Sequence, residues 1–159
     1  VRQALYDMVL PTLTMRAESE TQSLQASLFR QLGTGQLNEA KNTLKSLIAD
    51  VPYSNKKLAS MDMEERYRLI ISSILNAIGF RVEVERMLAT GRIDIVAYSY
   101  GYIYVMELKL SNNGGMLAAK EQILNNKYLA PFKADKRKVI GLAIELDEKG
   151  KGLIDWEEV

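Results

Sequence analysis

The sequence contains no cysteine and no histidine. Without cysteine there are no disulfides, thiolate zinc sites or cysteine nucleophiles, which fits a reducing cytoplasm. Without histidine there is no serine–histidine–aspartate hydrolysis, no imidazole metal site and no nuclease mechanism with a histidine base. No apolar run approaches the roughly 18 residues that a membrane span needs. The chain starts at Val1 with no signal-peptide pattern, and it reads as a fragment from inside a longer protein. What remains is carboxylate, lysine, tyrosine and hydroxyl chemistry, a donor set suited to hard ions such as Mg²⁺.

What is present suits a globular protein. The 159 residues are 47% apolar and 26% charged, enough for one ordinary domain with a smaller appendage. The net charge of +1 is unevenly spread, with an excess of four basic residues between Lys109 and Lys151. Such a bias could attract a polyanion, but taken alone a solvated face is the simpler reading.

Residues 1–55 read as helical and carry no recognisable chemistry. Arg2 to Leu10 is a short apolar-periodic piece before Pro11. Glu18 to Leu32 repeats Leu24, Leu28, Phe29 and Leu32 at helical spacing, and Gly33-Thr-Gly35 breaks it. Asn38 to Ala49 then sets Ala40, Leu44, Leu47 and Ile48 on one stripe. These pieces predict an αα-hairpin, a packing or linking module that supplies no side chain to a site. Tyr53 to Ser60 reads as a connector, so a second unit is expected over 56–159.

That second unit opens with the clearest helix, Met61 to Phe80, whose apolar residues follow a 3.6-residue period. Glu64 falls on the edge of the apolar arc and Glu65 outside it. An inward Glu64 needs a partner or a cation. Pairing with Arg68 at i+4, or a place at the helix N-terminus, would account for it without a site. Arg81 to Leu88 alternates as a strand. After the hairpin described next, Met116 to Ala130 reads as a helix stopped by Pro131, with Gln122 able to face the sheet. Lys138 to Glu145 reads as a central strand, and Leu153 to Val159 as an edge strand. The order predicts an α/β sandwich with a mixed sheet, preceded by a small helical module.

The informative stretch is Gly91 to Leu110, two β-branched and aromatic runs around Ser99-Tyr100-Gly101. Asp94 interrupts the first run; Glu107 and Lys109 interrupt the second and share one face by strand parity. If Ser99 pairs with Tyr102, or Tyr98 with Ile103, then Asp94 lies directly opposite Glu107. A three-residue turn without a bulge would instead oppose Asp94 to Met106. Two opposed carboxylates repel by roughly 0.2–1 kcal/mol on a bare sheet, unless a cation sits between them. Such a pair can hold a divalent ion that polarises a phosphate, with Lys109 beside it to orient water or stabilise negative charge.

Residues from about Met61 to Val159 resemble the PD-(D/E)XK nuclease superfamily. They are most similar to the nuclease-like domain that ends certain bacterial proteins beginning with an AAA-ATPase-like region. The resembling pieces are Glu64-Glu-Arg-Tyr67, Glu85 before Gly91-Arg-Ile-Asp94, Glu107-Leu-Lys109, Ala119-Lys-Glu-Gln-Ile123 with Lys127-Tyr128, and Ile140-Gly141. The resemblance implies a restriction-endonuclease-like fold, with Asp94 and Glu107 as Mg²⁺ ligands (Mn²⁺ as substitute) and Lys109 as the catalytic lysine. It implies that Glu64 is the first-helix acid assisting the metal, and that Gln122 lies near the scissile phosphate. Glu85, Arg92 and Tyr128 match the pattern without an assigned step, and Ile93 stands where the superfamily's name has proline. The implied activity is phosphodiester hydrolysis in DNA, or RNA, by a cytoplasmic enzyme. The alternative is a non-catalytic nuclease-fold module that binds nucleic acid or docks an AAA-ATPase-like partner domain.

Overall fold

In a computed structural model of the protein, residues 18–51 and 56–159 are described. The helical piece expected over Arg2–Leu10 and the start of the connector lie outside them. The described elements are α1 (Glu18–Gly33), α2 (Leu37–Ala49), the single-turn α3 (Lys56–Ala59), α4 (Met63–Ala77), β1 (Arg81–Leu88), β2 (Gly91–Tyr98), β3 (Tyr102–Leu110), α5 (Gly115–Asn125), β4 (Lys138–Leu146) and β5 (Leu153–Glu158). None of the described helices is long and apolar enough to cross a membrane.

The strands form one mixed sheet in the order β1-β2-β3-β4-β5. All neighbours are antiparallel except β3 and β4, which run parallel because α5 carries the chain across between them. As expected from its apolar run, β4 is interior and β5 is the edge. Helices cover both faces, so β3 is buried on both sides. On one face Ile95, Ala97, Tyr104, Met106, Leu142 and Ile144 join a single cluster with residues of α1, α2 and α4. On the other, Val96, Tyr98, Ile103, Val105 and Ala143 pack under Ala119 and Ile123 of α5, with Tyr128 and Phe132.

The αα-hairpin forms as the periodicity predicts, and it sits on the sheet rather than apart from it. Leu28, Leu32, Leu44 and Leu47 are fully buried in the same cluster as the strands. The turn between the helices is fitted to β3: Gly35 has φ +74°, and a Cβ there would lie 2.7 Å from the Tyr102 hydroxyl. Lys41 of α2 reaches Asp155 of β5 at 2.8 Å.

α4 starts at Asp62, whose side chain accepts the Glu65 N–H at 3.0 Å and so caps the helix. Its other end stays on the sheet through Ile70, Ile71, Ile74 and Leu75. Tyr67 fixes its rotation, donating its hydroxyl to the Asp147 carbonyl and accepting the Gly152 N–H. α5 ends five residues earlier than Pro131 would require. Lys127 takes φ +51° and the Tyr128 N–H turns back to the Ile123 carbonyl, a left-handed C-terminal stop.

Candidate active site

The hairpin closes with Tyr98 paired to Ile103, and the pairing continues to Ile95 opposite Met106. One step further along the same register, Asp94 faces Glu107. Both carboxylates are enclosed, Asp94 at 3% exposure and Glu107 at 2%. Lys109 projects from the same strand as Glu107, with Nζ 3.9 Å from Glu107 Oε1.

β2 departs from regular strand geometry at Asp94. Ile93 packs into the α5-side cluster and Ile95 into the opposite one, although residues two apart should share a face. Glu85 on β1 stands opposite Asp94, and both are left out of a pairing that holds on either side (Val84 with Ile95, Arg86 with Ile93). Glu85 has φ +52°, a left-handed conformation that costs an L-residue roughly 1–2 kcal/mol. The break frees the Asp94 side chain to act as a strand neighbour: its Oδ2 accepts the Leu108 N–H at 2.9 Å. Its Oδ1 accepts from Arg68 at 3.1 Å.

Arg68 links charges on two strands. Besides Asp94 it meets Glu85 Oε1 at 3.2 Å, and Arg92 meets the same oxygen at 3.2 Å. The i+4 pairing of Glu64 with Arg68, considered from the sequence, is replaced by these contacts to the sheet. Glu64 is partly buried in the first turn of α4. Its carboxyl is pushed above the ordinary range by burial and then by the Asp94 charge, with Lys109 and Arg68 opposing.

Glu107 is the least compensated carboxyl in the site. Its Oε2 is buried with no hydrogen-bond partner. Burial, then the neighbouring Asp94 charge, push its carboxyl well above the usual range, and Lys109 only partly offsets them. An orphaned buried carboxylate oxygen beside a second carboxylate fits a divalent cation. Such an ion takes oxygen ligands and keeps further positions for water or phosphate. No group of three or more acidic side chains is placed to hold an ion among the described residues. Glu64 therefore does not complete a three-carboxylate cage with the pair.

Gln122 is engaged elsewhere. Its Nε2 donates to the Tyr128 hydroxyl at 3.1 Å, which also accepts from Asn126 and donates to the Arg92 carbonyl at 2.9 Å. The approach is close enough that a Cβ at Gly91 would lie 2.9 Å from the Tyr128 hydroxyl. Gln122 thus supports the strand two residues before Asp94.

Two residues escaped the sequence reading. Arg68 was legible only as a local helix partner. Glu145, the residue before the end of β4, is in register with Lys109, and its Oε2 accepts the Met116 N–H at 3.2 Å. It satisfies a free donor at the start of α5 and ties that helix to the site strands.

A mixed α/β sheet covered on both faces, carrying opposed carboxylates and a lysine at a strand break, is consistent with a restriction-endonuclease-like fold. The sequence model described as the PD-(D/E)XK nuclease superfamily matches residues 62–156, more than half of the chain, and the protein belongs to that superfamily. None of the curated proteins and none of the solved structures gives a significant match.

Proposed function

We propose that this domain hydrolyses phosphodiester bonds in nucleic acid, DNA in the first instance, using a divalent ion held by Asp94 and Glu107. The observation that carries the reading is the buried, unpartnered Glu107 Oε2 beside Asp94. Both groups are acids, and no described protein donor reaches that oxygen. The chemistry supplied by Mg²⁺ or Mn²⁺ when bound there is polarisation of a phosphate and a lowered pKa for a water. Lys109, on the Glu107 side, would stabilise negative charge building on the phosphate. Glu64 would act as an outer acid, through water or by charge. Gln122 would act as a positioning residue through Tyr128 and the Arg92 carbonyl. The excess of basic residues after Lys109 suits a polyanionic substrate.

The deciding experiment is cleavage of supercoiled, linear and single-stranded DNA with Mn²⁺, beside Lys109→Ala. Cutting by the wild type and a large loss in the variant are expected. Binding of Mn²⁺ without any cutting would instead favour a non-catalytic module that binds nucleic acid or docks a partner domain. On the sequence resemblance that partner would be AAA-ATPase-like, in a cytoplasmic protein. One observation favours this second reading: the acid pair is enclosed, with Arg68 on Asp94, while two open clefts lie elsewhere, beside Gly35 and beside Tyr100.

A further inference from the structure

Arg68 sits in the acidic pocket as a cation of the protein's own. Its guanidinium is largely shielded from solvent and forks between two strands, reaching Asp94 Oδ1 at 3.1 Å and Glu85 Oε1 at 3.2 Å. The two anchors differ. The Asp94 side chain is 4% exposed and belongs to the proposed ion site; the Glu85 side chain is 41% exposed and shared with Arg92. Glu85 is turned to this place by its left-handed backbone, outside the strand pairing on either side of it.

We propose that Arg68 is the resident counter-ion of the site and that a divalent ion binds by exchange with it. The guanidinium gives up Asp94 and stays on Glu85. The inference rests on the metal reading above. Without a cation, Asp94 and Glu107 oppose each other in an enclosed pocket, and Arg68 supplies the compensating charge for Asp94. A divalent ion on Asp94 would lie within a few ångströms of that guanidinium, and their repulsion favours release. Glu85 makes release possible without stranding Arg68, because one arm of the fork keeps its partner. In this arrangement Arg68 and Glu85 are positioning residues that set metal affinity.

Calorimetric titration of the whole chain with Mn²⁺, in the absence of nucleic acid, tests the exchange. Arg68→Met removes the competitor: Mn²⁺ should bind about tenfold or more tightly, while the ion-free protein melts lower. Glu85→Gln removes the parking anchor, so Arg68 holds Asp94 harder and Mn²⁺ binds several-fold more weakly. The double variant should match Arg68→Met, since Glu85 acts through Arg68. Arg68→Lys, which keeps the charge but cannot fork, should bind between wild type and Arg68→Met and reads the same effect if Arg68→Met does not fold. Unchanged or weaker binding in both Arg68 variants would overturn the exchange and leave the metal site standing, as a purely structural arginine would. A Glu85→Gln effect that persists without Arg68 would also overturn it. Failure of every variant and the wild type to bind Mn²⁺ would remove the metal site itself.

Discussion

At the turn end of the β2–β3 hairpin, the Ser99 N–H donates to the Tyr102 carbonyl at 2.9 Å and the Tyr102 N–H donates to Ser99 Oγ at 2.9 Å. Four residues further along, the same two strands stop pairing. There an Asp94 carboxylate takes the Leu108 N–H, and Glu107 Oε2 has no donor at all. Both ends are enclosed: Ser99 is 8% exposed and Glu107 2%. The turn end meets its buried polar groups with hydrogen bonds, neutral ones across the hairpin and one from the Arg137 guanidinium to the Ser99 carbonyl at 3.3 Å, which stabilise. The other end holds two acids with Arg68 and Lys109 as partial compensation, an arrangement that costs stability unless a further cation arrives. A fold tolerates such a local deficit where it serves a site.

The largest change should come from removing what both ends rest on. Leu28, Leu32, Leu44, Leu47 and Ile48 are buried in one cluster with Tyr104 and Met106 of β3. At about 1.5–3 kcal/mol each, they contribute roughly 8–15 kcal/mol as an upper estimate, comparable to the whole stability of a small domain. A boundary at residue 55 has the chain from Ser54 onward folding alone; this shared core leads us to expect no cooperative melt for that fragment. A melt matching the whole chain would restore the two-unit division.

At the site end, Lys109→Ala should lower turnover about 10²–10³-fold while Mn²⁺ affinity stays within a few-fold, because the lysine acts on developing charge. Single-turnover cleavage beside calorimetry checks this. Glu107→Gln keeps the shape and removes a carboxyl that must take up a proton on folding, so the ion-free protein should gain on the order of 1–3 kcal/mol at pH 7 in a denaturant melt. The sign follows from the raised pKa: the native carboxyl holds its proton to about 9, above the unfolded value. The folded state therefore binds more protons through that window. Ion-free stability should be highest near the ordinary carboxyl range and fall as pH rises towards 9. Glu107→Gln should flatten that fall. The smallest change belongs to the turn, where Ser99→Ala should cost about 1 kcal/mol and leave Mn²⁺ binding unaltered. A shift in metal affinity from Ser99→Ala would break the separation of the two ends.

The pairing of these ends was legible as one of two registers: period-2 alternation put Glu107 and Lys109 on one face, while the Ser-Tyr-Gly break left Asp94 opposite either Glu107 or Met106 until the turn geometry decided between them. Element order, the interior place of β4 and the apolar stripe of α4 followed from periodicity in the same way. The break in β2 at Asp94 was not legible. It depends on Glu85 leaving the strand conformation, and nothing in Arg81–Leu88 marks a non-glycine residue for that. Arg68 reads as a helix-surface partner of Glu64 until tertiary packing turns it toward Asp94 and Glu85. Gln122 reads as able to face the sheet, and it bonds the Tyr128 hydroxyl. Its partner Tyr128 comes from a left-handed stop at Lys127 that the later Pro131 concealed.

The central claim is that Asp94 and Glu107 hold one divalent ion between them. Calorimetric titration of Mn²⁺ into wild type, Asp94→Asn and Glu107→Gln at several pH values between 5.5 and 8 tests it most directly. One ion per chain is expected, with affinity rising about tenfold per pH unit as Glu107 gives up its proton. Either substitution should weaken binding about tenfold or more, since each removes a formal charge while keeping an oxygen. Equal, pH-independent affinity in all three proteins would contradict the claim.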